Sequence, residues 1–276
     1  MENKNIIMLK HPPMNLKYDN PSYTNQVDDE LFEYVVVDVT SRVLRNKDFM
    51  KEHPTFAKDL SPFFVGPVIA SDGEVANIFE HFWQCSKVYP CHYVNGELTP
   101  EFFDWRKKWY EKTEVSKNKT ESRYPSHELG YEPKDCLFSV YYDGNEYKKL
   151  NYVEARKKLY ITEYAKKIYN TESFKWLKSI VDSGKKLALI DFDAYNYYSE
   201  NAIEKRYNFY INKCKENKVK PTKTLTNFLS IKSMKDVVNC DFMPVGHGFV
   251  IKMLLQGDII INKDGSIDDP QKILEI

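Results

Sequence analysis

The sequence predicts an α+β fold: a predominantly α-helical single domain with a small β-sheet. Three observations carry that expectation. Two short runs, Glu33–Thr40 with its four valines and the apolar Lys186–Phe192, have strand composition and strand length. Several longer segments repeat their apolar residues at helical spacing. At 276 residues the chain is long enough to bury a sizeable core, and it reads as one domain over residues 30–276 behind an N-terminal arm or cap, residues 1–29.

The elements follow in order. Residues 1–29 hold His11-Pro12-Pro13 and Asn20-Pro21-Ser22 with little periodicity, so they read as extended or irregular. The Glu33–Thr40 strand delivers Asp38, Ser41 and Arg42 to a loop. Arg45 to Leu60 is charged and polar and reads as a surface excursion. Leu60-Ser61-Pro62-Phe63 is a turn, because Ser61 bonds its local backbone while Pro62 fixes φ and lacks a donor. An extended stretch to Ala70 and a pause at Asp72-Gly73 lead into a helix over Val75–Tyr89. A second helix spans Pro100–Tyr110, with Thr99 as cap, proline in its first position and Glu101 in its first turn.

Residues 112–126 read as a mobile loop, polar and short of apolar anchors. Cys136–Tyr142 alternates as a strand and ends at an Asp143-Gly144-Asn145 turn. Helices are expected over Tyr152–Tyr169, Thr171–Ser183 and Tyr195–Asn217, and a last apolar one begins at Gly246-His247-Gly248 and ends at Gly257. Asn262–Gly265 is a hairpin or tail.

Composition bounds the function. Forty basic and forty acidic residues cancel, so the overall charge does not draw the chain to a polyanion. The five cysteines are scattered without a CxxC pair or a His-Cys ligand spacing, which predicts reduced thiols, a cytoplasmic location and no metal. No run approaches the ~18 apolar residues of a membrane span, so no membrane partner is expected. No P-loop, G-x-S-x-G or HExxH motif is present. Oligomeric state cannot be read from the sequence.

The candidate chemistry centres on Glu80, Gln84 and Lys87, whose i, i+4, i+7 spacing puts an acid, an amide and an amine on one helix face beside Trp83. The same spacing fits a solvated face with Trp83 and Phe79 in the core. Arg42 has the geometry to fork onto a phosphate or carboxylate, or to pair with Asp38. His127 sits in a loop and is of the residue type suited to shuttling protons, or is a structural histidine. Asp191 and Asp193 end a strand, where alternation predicts that they point to opposite faces. Gly246 and Gly248 around His247 allow close approach of an anion to a helix N-terminus, or tight helix packing.

The run LSPF, a following GPV segment and Glu80-x-x-Trp83-Gln84-x-x-Lys87-Val88-Tyr89 resemble the core signature of the NADAR (NAD- and ADP-ribose-associated) superfamily, with Pro62 where its LSNF-like turn has asparagine. Further blocks resemble a narrower family of phages and bacteria: Asp38–Arg42, Tyr152–Tyr160 with Arg156, Leu187–Asn196 and Gly246–Asp258. The resemblance implies a NADAR-like fold and an N-glycosidase that cleaves a ribose–nitrogen bond without a cofactor, in the host cytoplasm if phage-encoded. Its partner would be a nucleotide, an ADP-ribosyl small molecule or a modified nucleic acid.

On that reading Glu80, Lys87 and Asp193 are catalytic. Asp38, Arg42, Ser61, Phe63, Trp83, Gln84, His127, Arg156, Asp191, Gly246 and His247 bind substrate, with Trp83 stacking the base and Arg42, Arg156 and the Gly246–Gly248 loop taking phosphates. Two rivals stand beside it. One is a non-catalytic protein that sequesters a nucleotide signal or contacts a host protein, favoured by Pro62 and by the missing Trp-Gly-x-Gly segment of the superfamily. The other is a DNA glycosylase acting on a modified base, which would bind DNA in a salt-sensitive way.

Overall fold

The structure is a computed structural model that describes residues 5–11, 33–115, 124–262 and 264–267. It is mixed α/β with small sheets, and about 48% of the described residues are helical. Packing divides the chain into two compact units. The first is built from the residues up to Pro54 together with 175–260, and the second mainly from Thr55–Phe174.

The first unit is organised on a three-stranded parallel sheet in the order Ile6–Lys10, Lys186–Asp191, Tyr34–Asp38. The most apolar strand takes the centre, where both its neighbours and both its faces are covered, as a parallel strand requires. Ile6–Lys10 is extended, but it is a paired strand of this sheet and not the arm or cap expected. Its five residues pair one for one with Leu187–Asp191, and a run that short carries too little periodicity to stand out.

The helix His247–Gln256 packs against the first and central strands and is buried from His247 to Leu255, mostly apolar residues, with Lys252 buried among them by donating to Tyr197 Oη at 2.7 Å. Gly257 ends it in the left-handed conformation at φ 83°. The Tyr195–Asn217 segment is helical over Glu200–Glu216, capped by Ser199, whose hydroxyl accepts from the Ala202 N–H. Leu225–Leu229 and Met234–Asn239 are two further short helices.

The expected excursion over Arg45–Leu60 is helical instead. Asn46 caps Lys47–Glu52 by accepting from the Phe49 N–H at 3.1 Å, and in the second unit Phe56–Leu60 buries Phe56, Ala57 and Leu60. Each helix is under two turns long, too short for a period to show through the charged residues.

In the second unit Val68–Ile69 and Val75–Ala76 form a hairpin over the Asp72-Gly73 turn. The helix expected over Val75–Tyr89 is confined to Phe79–Cys85. Backbone pairing on both sides sets that limit: Val75–Ala76 belong to the hairpin, and Lys87–Val88 pair with Ser139 and Phe138. Phe138–Tyr142 continues the sheet to Tyr147–Leu150 across the expected Asp143–Asn145 turn. The Pro100–Tyr110 helix has its expected bounds, with the Thr99 carbonyl, rather than its hydroxyl, receiving the Phe102 N–H. Residues 116–123 of the expected mobile loop lie outside the described residues.

The Tyr152–Tyr169 segment is helical with a π turn inside it: Tyr152–Ala155, then Arg156–Ile161 in π geometry, then Thr162–Ile168. Asn151 and Glu154 form a reciprocal capping box at its start. Among the described residues no helix is long and apolar enough to cross a membrane.

Candidate functional site

The second unit holds the acid, amide and amine. Ser61 closes the Leu60–Phe63 turn from within: its carbonyl accepts from the Phe64 and Val65 N–H groups, both at 2.9 Å, and its hydroxyl lies 3.4 Å from the Phe63 N–H. The Phe79–Cys85 helix begins at Ile78, which cannot cap it. The turn supplies what Ile78 lacks, because Phe79 donates to the Val65 carbonyl at 2.8 Å and Glu80 to the Pro62 carbonyl at 3.0 Å. Gly66 permits this close approach, since a Cβ there would stand 2.1 Å from the Asn77 carbonyl oxygen. The Ser-Pro turn and the Glu80 helix are therefore one local unit.

Along that unit the three polar side chains form a line. Gln84 Nε2 donates to Glu80 Oε1 at 2.9 Å, and Lys87 Nζ donates to Gln84 Oε1 at 2.7 Å. Lys87 sits on a strand, not on the helix as its spacing suggested, yet the bend at Ser86 keeps it within reach of Gln84. Glu80 and Lys87 are each only 8% exposed. Burial pulls the Lys87 amine below the ordinary lysine value, opposed by the charge of Glu80. Gln84 takes one of its three ammonium protons, and the Trp83 ring lies 4.9 Å from Nζ.

Trp83 is buried, with Lys87 against it and the Tyr160 ring edge-on at 5.1 Å. Lys87 and Tyr160 thus pack against the ring to which the resemblance assigns base stacking. Tyr160 also meets Phe79 edge-on at 5.3 Å, and Tyr164 donates to the Leu60 carbonyl, tying the π-turn helix to both the turn and the Glu80 helix. Arg156 opens the π turn and is buried, its guanidinium 4.5 Å from the Tyr152 ring. Phe63 is partly exposed in the turn.

His127 stands apart in character: a third exposed, in a 3-10 turn, 3.3 Å from Glu132. The histidine next to Glu80 in sequence, His81, is fully buried against Trp109, and burial lowers its pKa to about 4, so it is a neutral core group at physiological pH.

One constellation in this unit escaped the sequence. Asp72 receives Tyr147 Oη at 2.5 Å and the Arg106 guanidinium, at the edge of an open pocket of about 180 Å³ that Glu74 and Phe103 also line. Desolvation pushes the Asp72 carboxyl up, but the bonds from Tyr147 and Arg106 outweigh it and hold the pKa below the ordinary aspartate value. The partners lie 34 and 75 residues away in the chain, and no local spacing announces them.

The first unit gathers the other candidates at the C-terminal ends of its parallel strands. Asp38 accepts from the Thr40 N–H at 2.8 Å and lies 3.4 Å from His11 Nε2. Asp191 accepts from the Phe192 N–H at 2.7 Å and the Gly248 N–H at 2.9 Å, and lies 3.4 Å from His247 Nδ1. The expected anion at the Gly246–Gly248 helix start is thus the protein's own carboxylate. Both glycines serve that fit, for a Cβ on Gly246 would come within 2.2 Å of Asp191 Oδ2 and one on Gly248 within 2.9 Å of Asp191 Cβ.

His247 Nε2 also reaches the Val39 carbonyl at 2.9 Å. Arg42 is buried in the 3-10 turn Ser41–Arg45 that follows the Asp38 strand. Asp193 does not alternate with Asp191, because the strand ends at Asp191 and a turn follows. The Asp193 Cβ lies 3.0 Å from where a Cβ on Gly246 would stand, so both carboxylates border one loop.

Among the described residues no group of three or more His, Cys, Asp or Glu side chains could hold a metal ion. Comparison with protein-family models, with curated proteins and with solved structures finds no match to this chain.

Proposed function

We propose that the chain is an N-glycosidase that hydrolyses a ribose–nitrogen bond in an ADP-ribosylated base or a nucleotide derivative. One observation carries this reading: Glu80, Gln84 and Lys87 form a hydrogen-bonded line with little access to water, fixed by the Ser-Pro turn. Breaking the bond between an anomeric carbon and nitrogen leaves the electron pair on nitrogen, which takes up a proton, and builds positive charge on the sugar until water adds there. A positioned carboxylate both stabilises that charge and takes a proton from the water.

Glu80 fills that role. Gln84 holds its Oε1, fixing the carboxylate's orientation without taking its charge. Lys87, short of water and of partners, supplies a cation for ribose or phosphate oxygens, or an amine where its proton is lost. Trp83 keeps the Lys87 stem in place, and Arg156 is the guanidinium of this unit assigned to a phosphate.

Incubating the protein with ADP-ribosylated DNA and with a panel of nucleotides, followed by mass spectrometry, tests the reading. Release of free ADP-ribose with the DNA base restored, or of a free base from a nucleotide, supports it, whereas a base freed from the DNA would identify a DNA glycosylase. Ligand recovered intact after denaturing the protein would instead identify a sequestering protein.

A further inference from the structure

The first unit carries a basic, aromatic-centred patch that the reading above leaves unused. Lys10 is the last residue of the edge strand Ile6–Lys10, and its Nζ lies 5.6 Å from the centre of the Phe209 ring. Arg206 and Lys213, on the Glu200–Glu216 helix one turn to either side of Phe209, approach the same ring at 5.8 Å each. Three cations thus converge on one phenyl ring, which is itself 51% exposed.

Lys213 is paired with Glu216 at 2.6 Å. The side chains of Lys10 and Arg206 have no hydrogen bond or ion pair among the described residues. Burial lowers the pKa of both, and Arg206 lowers that of Lys10 further, the mark of two like charges held together; Asp193 opposes both shifts and Asp191 that of Lys10. A ring face attracts a cation but neutralises none of its charge, so among the described residues the pair has no counter-ion at ion-pair distance. The patch also lies where open parallel sheets bind ligands, at the carboxyl end of the strands.

We propose that Lys10, Arg206 and Phe209 form a binding site for the phosphate of a nucleotide, either free or within a single strand of nucleic acid. Two converging cations match the charge and oxygens of a phosphate, and an exposed aromatic among basic side chains is the arrangement that single-stranded nucleic acids and nucleotides exploit. The site is independent of Glu80 and of any hydrolysis.

The test uses the full chain at low salt with three probes: inorganic pyrophosphate, adenosine diphosphate and a twelve-nucleotide single-stranded DNA. Equilibrium dialysis measures binding, and acetylation followed by mass spectrometry reads the protection of Lys10. Saturable binding of at least one probe is expected, with Lys10 protected. The K10Q/R206Q double variant should weaken it by roughly tenfold or more, Lys10→Arg should largely retain it, and Lys178→Gln, at an exposed lysine paired with Asp182, should leave it unchanged.

Binding of pyrophosphate or the diphosphate identifies a free ligand, whereas binding of DNA alone identifies a nucleic-acid backbone; both sustain the phosphate site. Absence of saturable binding by all three probes, or binding that the double variant leaves intact, would overturn it. Should the double variant fail to fold, Lys10 acetylated equally with and without probe in the wild-type chain overturns it as well.

Discussion

The two units treat their carboxylates differently. In the first, Asp38 and Asp191 end parallel strands in the position where such residues commonly meet ligands, yet backbone N–H groups and histidines take them up: Thr40 and His11 for one, Phe192, Gly248 and His247 for the other. In the second, Glu80 is held by another side chain, Gln84, which in turn holds a lysine with few partners of its own. A carboxylate bound by backbone donors is fixed as part of the fold. One bound through a side-chain relay to a poorly solvated amine is set up to respond to a ligand, so position at a strand end is a weaker sign of chemistry than the company a carboxylate keeps.

Replacing the amine probes that contrast most strongly. Lys87→Met should lower turnover by about a thousandfold while the chain still folds, because the substitution keeps the apolar stem against Trp83 and removes the charge. Single-turnover assays on the folded variant check this, and a loss of less than about tenfold would move the chemistry elsewhere.

The glycines give the next largest effect. Gly66→Ala and Gly246→Ala each force a Cβ into a polar oxygen, and each should cost on the order of 3 kcal/mol in urea unfolding. Only Gly66→Ala is expected to disturb the Ser-Pro turn that caps the Glu80 helix, so it should lower the turnover of the molecules that remain folded.

Asp72→Asn tests a carboxylate of the second unit that is structural. Its pKa lies below the ordinary aspartate value, so its contribution to stability is present above about pH 4 and is lost as the pH falls through the folded value. Solvent in the open pocket screens part of the attraction to Arg106, so at pH 7 the variant should be about 1 kcal/mol less stable. The gap should close in strong acid. A gap independent of pH would show that packing, not charge, holds that corner.

The smallest effect is expected from His127→Ala. With a third of its side chain exposed, Glu132 at 3.3 Å and the Tyr124 ring edge-on at 5.4 Å, it should change stability by less than about 0.5 kcal/mol and leave turnover unaltered.

Much of this architecture was legible in the sequence where the signal is local. The central strand, the Pro100–Tyr110 helix, the Asp143–Asn145 turn and the last apolar helix follow from composition, caps and period. The Glu80–Gln84–Lys87 line was legible as a spacing, although Lys87 reaches it from a strand. What could not be read is set by contacts distant in the chain. Ile6–Lys10 is a strand because Leu187–Asp191 offers it an edge, Val75–Ala76 leave the helix because Val68–Ile69 pair with them, and Asp72 meets Arg106 and Tyr147 only once the sheet and helix are in place. Trp83 illustrates the same limit, since its neighbour Tyr160 is brought to it by a π turn that no pattern announces.

The proposed activity stands or falls on the Glu80 carboxylate driving cleavage of a ribose–nitrogen bond. Single-turnover mass spectrometry with an ADP-ribosylated substrate, following release of ADP-ribose and ligand retention by Glu80→Gln beside the wild type, addresses that step alone. The wild-type chain should free ADP-ribose, and the variant should retain the substrate uncleaved. A variant that releases ADP-ribose at the wild-type rate would contradict the assignment.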